Sequence, residues 1–244
     1  MTARHADLLV ADSMAIAAIW RSLFGVESTF VPYGAPVIES AGADRIEALG
    51  LSASRYVLVV ARLIPENNVE LVLDAVDRIP ERPPTVVVGA GTKASPLEAR
   101  LREGELAGRL RWLGHVDDQT LLTQLWANAG VYVHGHSVGG TNPGLLQALG
   151  AGAPTLVLDT PFNREVIRAP DQTFEGDVAR LARQIEAVMS DPEMQARFAA
   201  HGRAIVGRYY RWPDVSSHYL AAMLEARQRS IARRGDMTRP GRKK

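Results

Sequence analysis

The sequence predicts an α/β fold, a doubly wound parallel sheet followed by C-terminal helices. Three observations predict it. Short apolar runs alternate with helical patterns up to residue 158. The runs are rich in Val and Leu and apolar on both faces, as strands covered by helices on both sides must be. Beyond residue 158 the alternation ends and helical patterns follow one another.

In chain order, strands are expected at residues 8–11, 29–31, 56–60, 85–88, 110–113, 131–134 and 155–158. Residues 33–44, rich in Gly, Ala and Pro, are a candidate hinge. Val69, Val72, Val76 and Ile79 recur at helical spacing, as do Leu121, Leu122, Leu125 and Trp126. Ser95-Pro96-Leu97-Glu98 reads as a capping box with proline at the first helical position. Asn142-Pro143 and Asp191-Pro192 repeat the cap-then-proline device. Val178, Leu181, Ile185, Val188 and Met189 mark a helix over 177–189, followed by helices over 192–210 and from 213 to about 231. Ligands of such sheets bind beyond the carboxyl ends of the strands, so functional residues are expected just after them.

The 244 residues suffice for one large domain or two small ones, at roughly 150 residues per domain. The absence of cysteine excludes disulfides, Cys-ligated zinc, iron–sulfur clusters and thiol catalysis. With 46% hydrophobic and 23% charged residues, the composition is that of a globular protein. The most apolar N-terminal stretch, 8–26, carries Asp12 and Arg21 and reads neither as a membrane span nor as a signal peptide, which points to the cytoplasm. Residues 227–244 hold eight basic residues and one acid, a charge of +7. Against the net +1 of the chain, this leaves −6 on residues 1–226. An acidic body speaks against nucleic acid as a partner. The basic end is either a solvated terminus or a peripheral contact with anionic lipid at the inner face of the membrane.

Three segments carry the chemistry. Ala61-Arg62-Leu63-Ile64-Pro65-Glu66-Asn67-Asn68 follows a strand directly, and the planar fork of Arg62 suits a phosphate. Asn67 and Asn68 are either ligand contacts or a helix cap. Gly89-Ala90-Gly91-Thr92 follows the next strand on the same rim, as a ligand loop or a plain tight turn. His134 through Pro143 is the most informative. A strand ends, Gly139 and Gly140 let backbone approach a ligand, and Thr141 and Asn142 lead into a helix whose N-terminus attracts an anion. No Walker lysine follows. His134 and His136 face one way on extended backbone, but no further ligand is near in sequence, so no metal is assigned. His115 is a further rim candidate. No Ser-His-Asp or HExxH pattern occurs.

With these segments in view, residues 57–219 resemble the donor-binding half of retaining GT-B glycosyltransferases of family 4, and bacterial rhamnosyltransferases in particular. The likeness rests on the Ala61–Asn68 segment, on His134 through Ala148, and on Val157-Leu158-Asp159-Thr160-Pro161-Phe162-Asn163-Arg164-Glu165-Val166. It implies a Rossmann-like domain and a nucleoside-diphosphate-sugar donor, dTDP-L-rhamnose or another, with no cofactor and no metal. Sugar transfer would retain the anomeric configuration, to a glycan or lipid-linked acceptor of polysaccharide biosynthesis. By the likeness, Arg62 binds the diphosphate and stabilises the leaving group, Gly139 to Asn142 meet phosphates and sugar, and Gly114, His115 and Val116 border the base. Asn67, Gly89, Gly91 and His134 belong to the same donor site. No catalytic base is assigned.

Two departures stand out. The wider family carries glutamates at the positions of Gly139 and Gln147; Gln147 keeps one carbonyl acceptor for the ribose but no charge. A GT-B enzyme also has two Rossmann-like domains, and this chain resembles mainly the second. The expected division is residues 1–38 as a remnant of the acceptor domain, 39–211 as the donor domain, 212–232 as a crossover helix and 233–244 as a basic disordered tail. A separate N-terminal half is then an expected partner. The alternative is an inactive, truncated nucleotide-sugar-binding module or an interaction protein.

Overall fold

The computed structural model describes residues 6–91 and 95–237. The chain opens with β1 (Val10–Ala11), α1 (Met14–Phe24) and β2 (Thr29–Phe30), and the two strands pair in parallel, Val10 opposite Thr29. Ser13 caps α1 by accepting from the Ile16 N–H. An irregular segment follows, tied down by Ala35 N–H to Tyr210 carbonyl (2.9 Å) and Ile38 N–H to Gly150 carbonyl (2.8 Å).

The remainder is α2 (Asp44–Ala48), β3 (Val57–Val60), α3 (Val69–Asp77), β4 (Thr85–Val88), α4 (Pro96–Leu106), β5 (Arg111–Trp112) and α5 (Gln119–Ala127). Then come β6 (Val131–His134), α6 (Pro143–Ala151), β7 (Thr155–Leu158), α7 (Pro161–Ile167) and β8 (Thr173–Phe174). Three helices close the described chain: α8 (Val178–Ser190), α9 (Pro192–Tyr209) and α10 (Trp212–Met237).

Strands β3 to β8 form one sheet in the order β5-β4-β3-β6-β7-β8, every neighbouring pair parallel. The side-chain period of two sends alternate residues to opposite faces. Leu58, Val86 and Tyr132 therefore join one core, shared with α5, α6 and α9. Val57, Val59, Val87, Val131 and Val133 join the other, shared with α3, α4 and α8. The strand order reverses between β3 and β6, which pair through Val57–Val131 and Leu58–Tyr132. A crevice opens at such a reversal, and there this fold binds its ligands.

The α/β class and the parallel, doubly wound sheet are as expected. All seven expected strands form, but the first two make a separate sheet. The short α2, α7 and β8 were not expected. Thr173–Phe174 stands between Gln172 and Glu175, with no apolar run around it to announce a strand. Helix α10 runs to Met237, five residues into the stretch expected as a disordered tail. Ala232, Arg233 and Arg234 are good helix formers, and no proline stands before Pro240 to stop the helix. The rest of the basic end, 238–244, lies outside the described residues. Among the described residues no helix is long and apolar enough to cross a membrane.

Candidate functional site

The loops after β3 and β6 meet at the strand-order reversal. Val60, Ala61, Arg62, Asn67, Val133, His134, Gly135, His136 and Asn142 enclose a cavity of about 200 Å³ there. Its backbone is held from three sides. Asn68, in the left-handed region at φ +50, donates through Nδ2 to the Gly135 carbonyl at 2.8 Å. Ser137 N–H and Oγ both donate to the Glu66 carbonyl, at 2.9 and 2.8 Å. From the β7 side, buried Asn163 donates through Nδ2 to the carbonyls of His136 and Leu158, both at 2.9 Å. Gly135 must be glycine, because a Cβ would press on the Asn67 carbonyl.

Arg62 is exposed at the mouth of the cavity, and among the described residues it makes no ion pair or hydrogen bond through its guanidinium. Asn67 is buried. Its Nδ2 donates to the Arg62 carbonyl at 2.8 Å and its Oδ1 meets His136 Nδ1, which fixes the arginine loop to the histidine loop. His134 is buried, with Nδ1 2.9 Å from the Tyr132 hydroxyl and Nε2 unbonded. Burial, with His136 adding to it, pushes its pKa down to about 3, so it is a neutral imidazole. His136 is also held below the ordinary imidazole range, by burial first and then by Arg62, against the opposing pull of the Val138 carbonyl and Glu66.

Asn142 begins α6, its Oδ1 accepting from the N–H groups of Gly144 (2.9 Å) and Leu145 (3.3 Å). Just before it, Gly139 takes φ +118. Among the described residues the backbone N–H groups of Gly139, Gly140, Thr141 and Asn142 donate no hydrogen bond. Four consecutive free donors at a helix N-terminus beside an unpaired arginine have the chemistry that a multiply charged anion requires. Gln147 lies on α6, half-buried, and no described residue bonds its amide.

Arg62, Asn67, His134 and Asn142 thus share one cavity, with Gly139 to Thr141 at its edge. Gly89, Gly91, His115 and Val116 lie outside it, along the same rim after β4 and β5. The polar groups of Gly89 are spent within the fold, its N–H on the Gly114 carbonyl (2.7 Å) and its carbonyl on Trp112 Nε1 (2.8 Å). Gly91 N–H donates to Glu98 Oε1 at 3.1 Å, so the glutamate of the expected capping box serves the loop and not its own helix. Thr92 lies outside the described residues. His115 is exposed, with Nε2 2.8 Å from Asp117 Oδ1, while Val116 packs on the core. Among the described residues no cluster of three His, Asp or Glu is placed to hold a metal ion.

Three residues of this region were not singled out from sequence as site residues. Asn163 and Glu165 stand in the Val157–Val166 segment, whose likeness assigns neither a role. Asp12, at the end of β1, accepts from the Thr141 hydroxyl through its carbonyl, and its carboxylate lies against Gly140. Glu165 of α7 accepts from the N–H groups of Met14 (2.8 Å) and Ala15 (3.1 Å), so α7 caps α1. No local pattern announces these contacts, since their partners come from distant parts of the chain.

A family model described as "Glycosyl transferases group 1" matches residues 45–205. The chain is 28% identical over 208 residues to a phosphatidyl-myo-inositol mannosyltransferase of Mycobacterium tuberculosis, covering 80% of this chain and 53% of that protein. It is 29% identical over 211 residues to the protein of the same name from Mycolicibacterium smegmatis, covering 80% and 51%. The chain therefore spans about half the length of the curated relatives it matches. Among solved structures it is similar to Anabaena Alr3699/HepE in complex with UDP, with a TM-score of 0.78, 18% identity, and coverage of 91% of this chain and 65% of that one. Sucrose-phosphate synthase of Thermosynechococcus elongatus gives a TM-score of 0.75 at 18% identity, covering 93% and 59%. These two likenesses speak for the fold. The curated relatives carry the name of mannosyltransferases, so a narrower assignment to the rhamnosyltransferases gains nothing from them.

Proposed function

Because this chain belongs to the group 1 glycosyl transferases, we propose that it is the donor half of an enzyme that moves a sugar from a nucleoside diphosphate to a hydroxyl acceptor with retention. The observation that carries the reading is the unpaired Arg62 sharing one cavity with the N-terminus of α6, where the backbone from Gly139 to Asn142 offers free N–H groups. The bond from the anomeric carbon to the diphosphate breaks, the acceptor oxygen takes its place on that carbon, and the acceptor's proton passes to an oxygen of the departing diphosphate. Charge grows on the departing diphosphate. Arg62 and the α6 N-terminus are preorganised to receive it, and preorganised donors of this kind supply much of the rate of such reactions. His134, Asn67 and Asn142 shape the phosphate cavity. Gln147 offers its carbonyl to the ribose, and Gly89, Gly91, His115 and Val116 form the rim for the base.

The likeness of the three segments favours dTDP-L-rhamnose as donor. The names of the curated relatives favour a mannosyl donor and a lipid acceptor. L-rhamnose is a 6-deoxy sugar of manno configuration, so both lead to one ring stereochemistry of opposite hand. Residues 1–38 would be the last strand–helix–strand of an acceptor-binding half that the relatives' greater length accommodates, and α10 the helix that returns to it. Met14, Leu23 and Phe24 on α1, with Leu220, Met223 and Leu224 on α10, stand exposed and would be covered by that half.

Calorimetric titration with dTDP, UDP, GDP and ADP, without divalent metal, tests the reading. Selective binding of one nucleotide supports a working donor half and identifies the base. Failure to bind any of the four overturns it.

A further inference from the structure

Asp12 is the residue immediately after β1. It belongs to the small two-stranded unit, not to the six-stranded sheet, yet it reaches the α6 turn. A Cβ added at Gly140 would collide with Asp12 Oδ1 and crowd the rest of the carboxylate, so the carboxylate lies face-on against the glycine backbone. The contact is fixed twice. The Thr141 hydroxyl bonds the Asp12 carbonyl, and Glu165 holds the N-terminus of α1, two residues further on.

The carboxylate itself has no partner from the rest of the described chain. Among the described residues no Lys, Arg or His forms an ion pair with it, and no side chain or backbone of another residue donates a hydrogen bond to it. It is partly buried, and Glu165 adds a second negative charge nearby. Burial, together with Glu165, raises its pKa above the ordinary aspartate value, against a bond from its own backbone N–H. A half-buried carboxylate whose one donor is its own backbone N–H costs more stability than it returns, which marks it as a group kept for a ligand. The ligand group it meets is not the diphosphate, which it would repel. What lies beside a diphosphate on this turn is the sugar attached to it, whose hydroxyls are hydrogen-bond donors.

Building on the donor-site reading above, we propose that Asp12 is a sugar-positioning residue whose carboxylate accepts hydrogen bonds from hydroxyls of the donor's sugar ring. The donor sugar is then held between two units: the six-stranded sheet binds the nucleotide and phosphates, and β1 supplies the acceptor for the hydroxyls. The chemistry requires neighbouring free hydroxyls and leaves open which nucleotide carries them.

The test compares nucleotides with nucleotide sugars on the 244-residue chain and on Asp12→Asn, which keeps shape and removes charge. The pairs are dTDP with dTDP-L-rhamnose, GDP with GDP-mannose, and UDP with UDP-glucose, measured by calorimetry. For the pair that binds, Asp12→Asn is expected to leave nucleotide affinity unchanged or tighter and to weaken nucleotide-sugar affinity about tenfold, the worth of a hydrogen bond to a charged group. Asp12→Ala should behave alike. A merely structural Asp12 would weaken both ligands together, and a residue serving the acceptor would change neither; either result overturns the proposal. If the wild-type chain binds no nucleotide at all, the donor-site reading falls and this assignment falls with it. Nucleotide binding that persists while the sugar makes no difference removes Asp12 alone.

Discussion

Arg62 and His134 share a cavity and have opposite electrical characters. Arg62 is an exposed, unpaired cation, and His134 is a buried, neutral ring. If Arg62 holds the diphosphate, Arg62→Ala should weaken nucleotide binding at least tenfold, since a charged hydrogen bond is worth ~1.5–3 kcal/mol. An affinity retained within about threefold would remove it from the site. For His134 the consequence is in stability. Its folded pKa of about 3 lies below the ordinary unfolded value near 6.5, so between those limits only the unfolded chain takes up the proton. The contribution is whole above about pH 6.5 and declines as the pH falls below it, by up to ~1.4 kcal/mol per pH unit. The difference between urea midpoints at pH 7.5 and 5.0 should be larger in the wild type than in His134→Gln, where His136 still contributes; an equal difference in the two would refute this. Arg62 was legible in the sequence because it follows a strand within three residues. Asp12 was not, because its partner Thr141 is 129 residues away and only the folded chain joins them.

At the level of elements, the helix caps read most directly from sequence. Ser95, Asn142 and Asp191 all cap the helices they precede. Asn142 does double duty if α6 also faces the donor. Asn142→Ala should lower stability by about 1 kcal/mol, the ordinary worth of an N-cap, as measured by urea unfolding. Asn142→Asp should preserve stability, because aspartate caps as well, and weaken nucleotide affinity severalfold by placing a carboxylate against the phosphates. Loss of stability in the aspartate variant would contradict this division of labour. Strands were legible from their apolar runs, including the two-residue β1, β2 and β5; β8 was not, because no apolar run surrounds Thr173–Phe174, and α2 was not, because five residues cannot display a helical period. The loop after β4 was legible as glycine-rich but not in its wiring. Glu98 reaches out of its helix to Gly91, a pairing that competes with the capping box and prevails.

For the whole molecule, size is the relevant quantity. The cavity at the strand-order reversal measures about 200 Å³, below the 300–1,000 Å³ usual for a small-molecule site. If a diphosphate occupies it, the sugar and base would lie along an open rim, as on one wall of a cleft. The loops that line it were legible in the sequence as the segments after β3 and β6. The tie between the two sheets, the Asp12–Gly140 and Glu165–α1 contacts, was not. The strand order also has a kinetic consequence. β3 and β6 are neighbours in space, but everything from residue 61 to 130 lies between them in the chain. Their pairing must await the folding of that long excursion, and non-local parallel pairing is slow. The ligand cavity sits at this seam, so it should be completed among the last events of refolding. After dilution from urea, helical circular dichroism should recover before the capacity to quench a fluorescent nucleotide, and simultaneous recovery would mean that the seam closes with the rest.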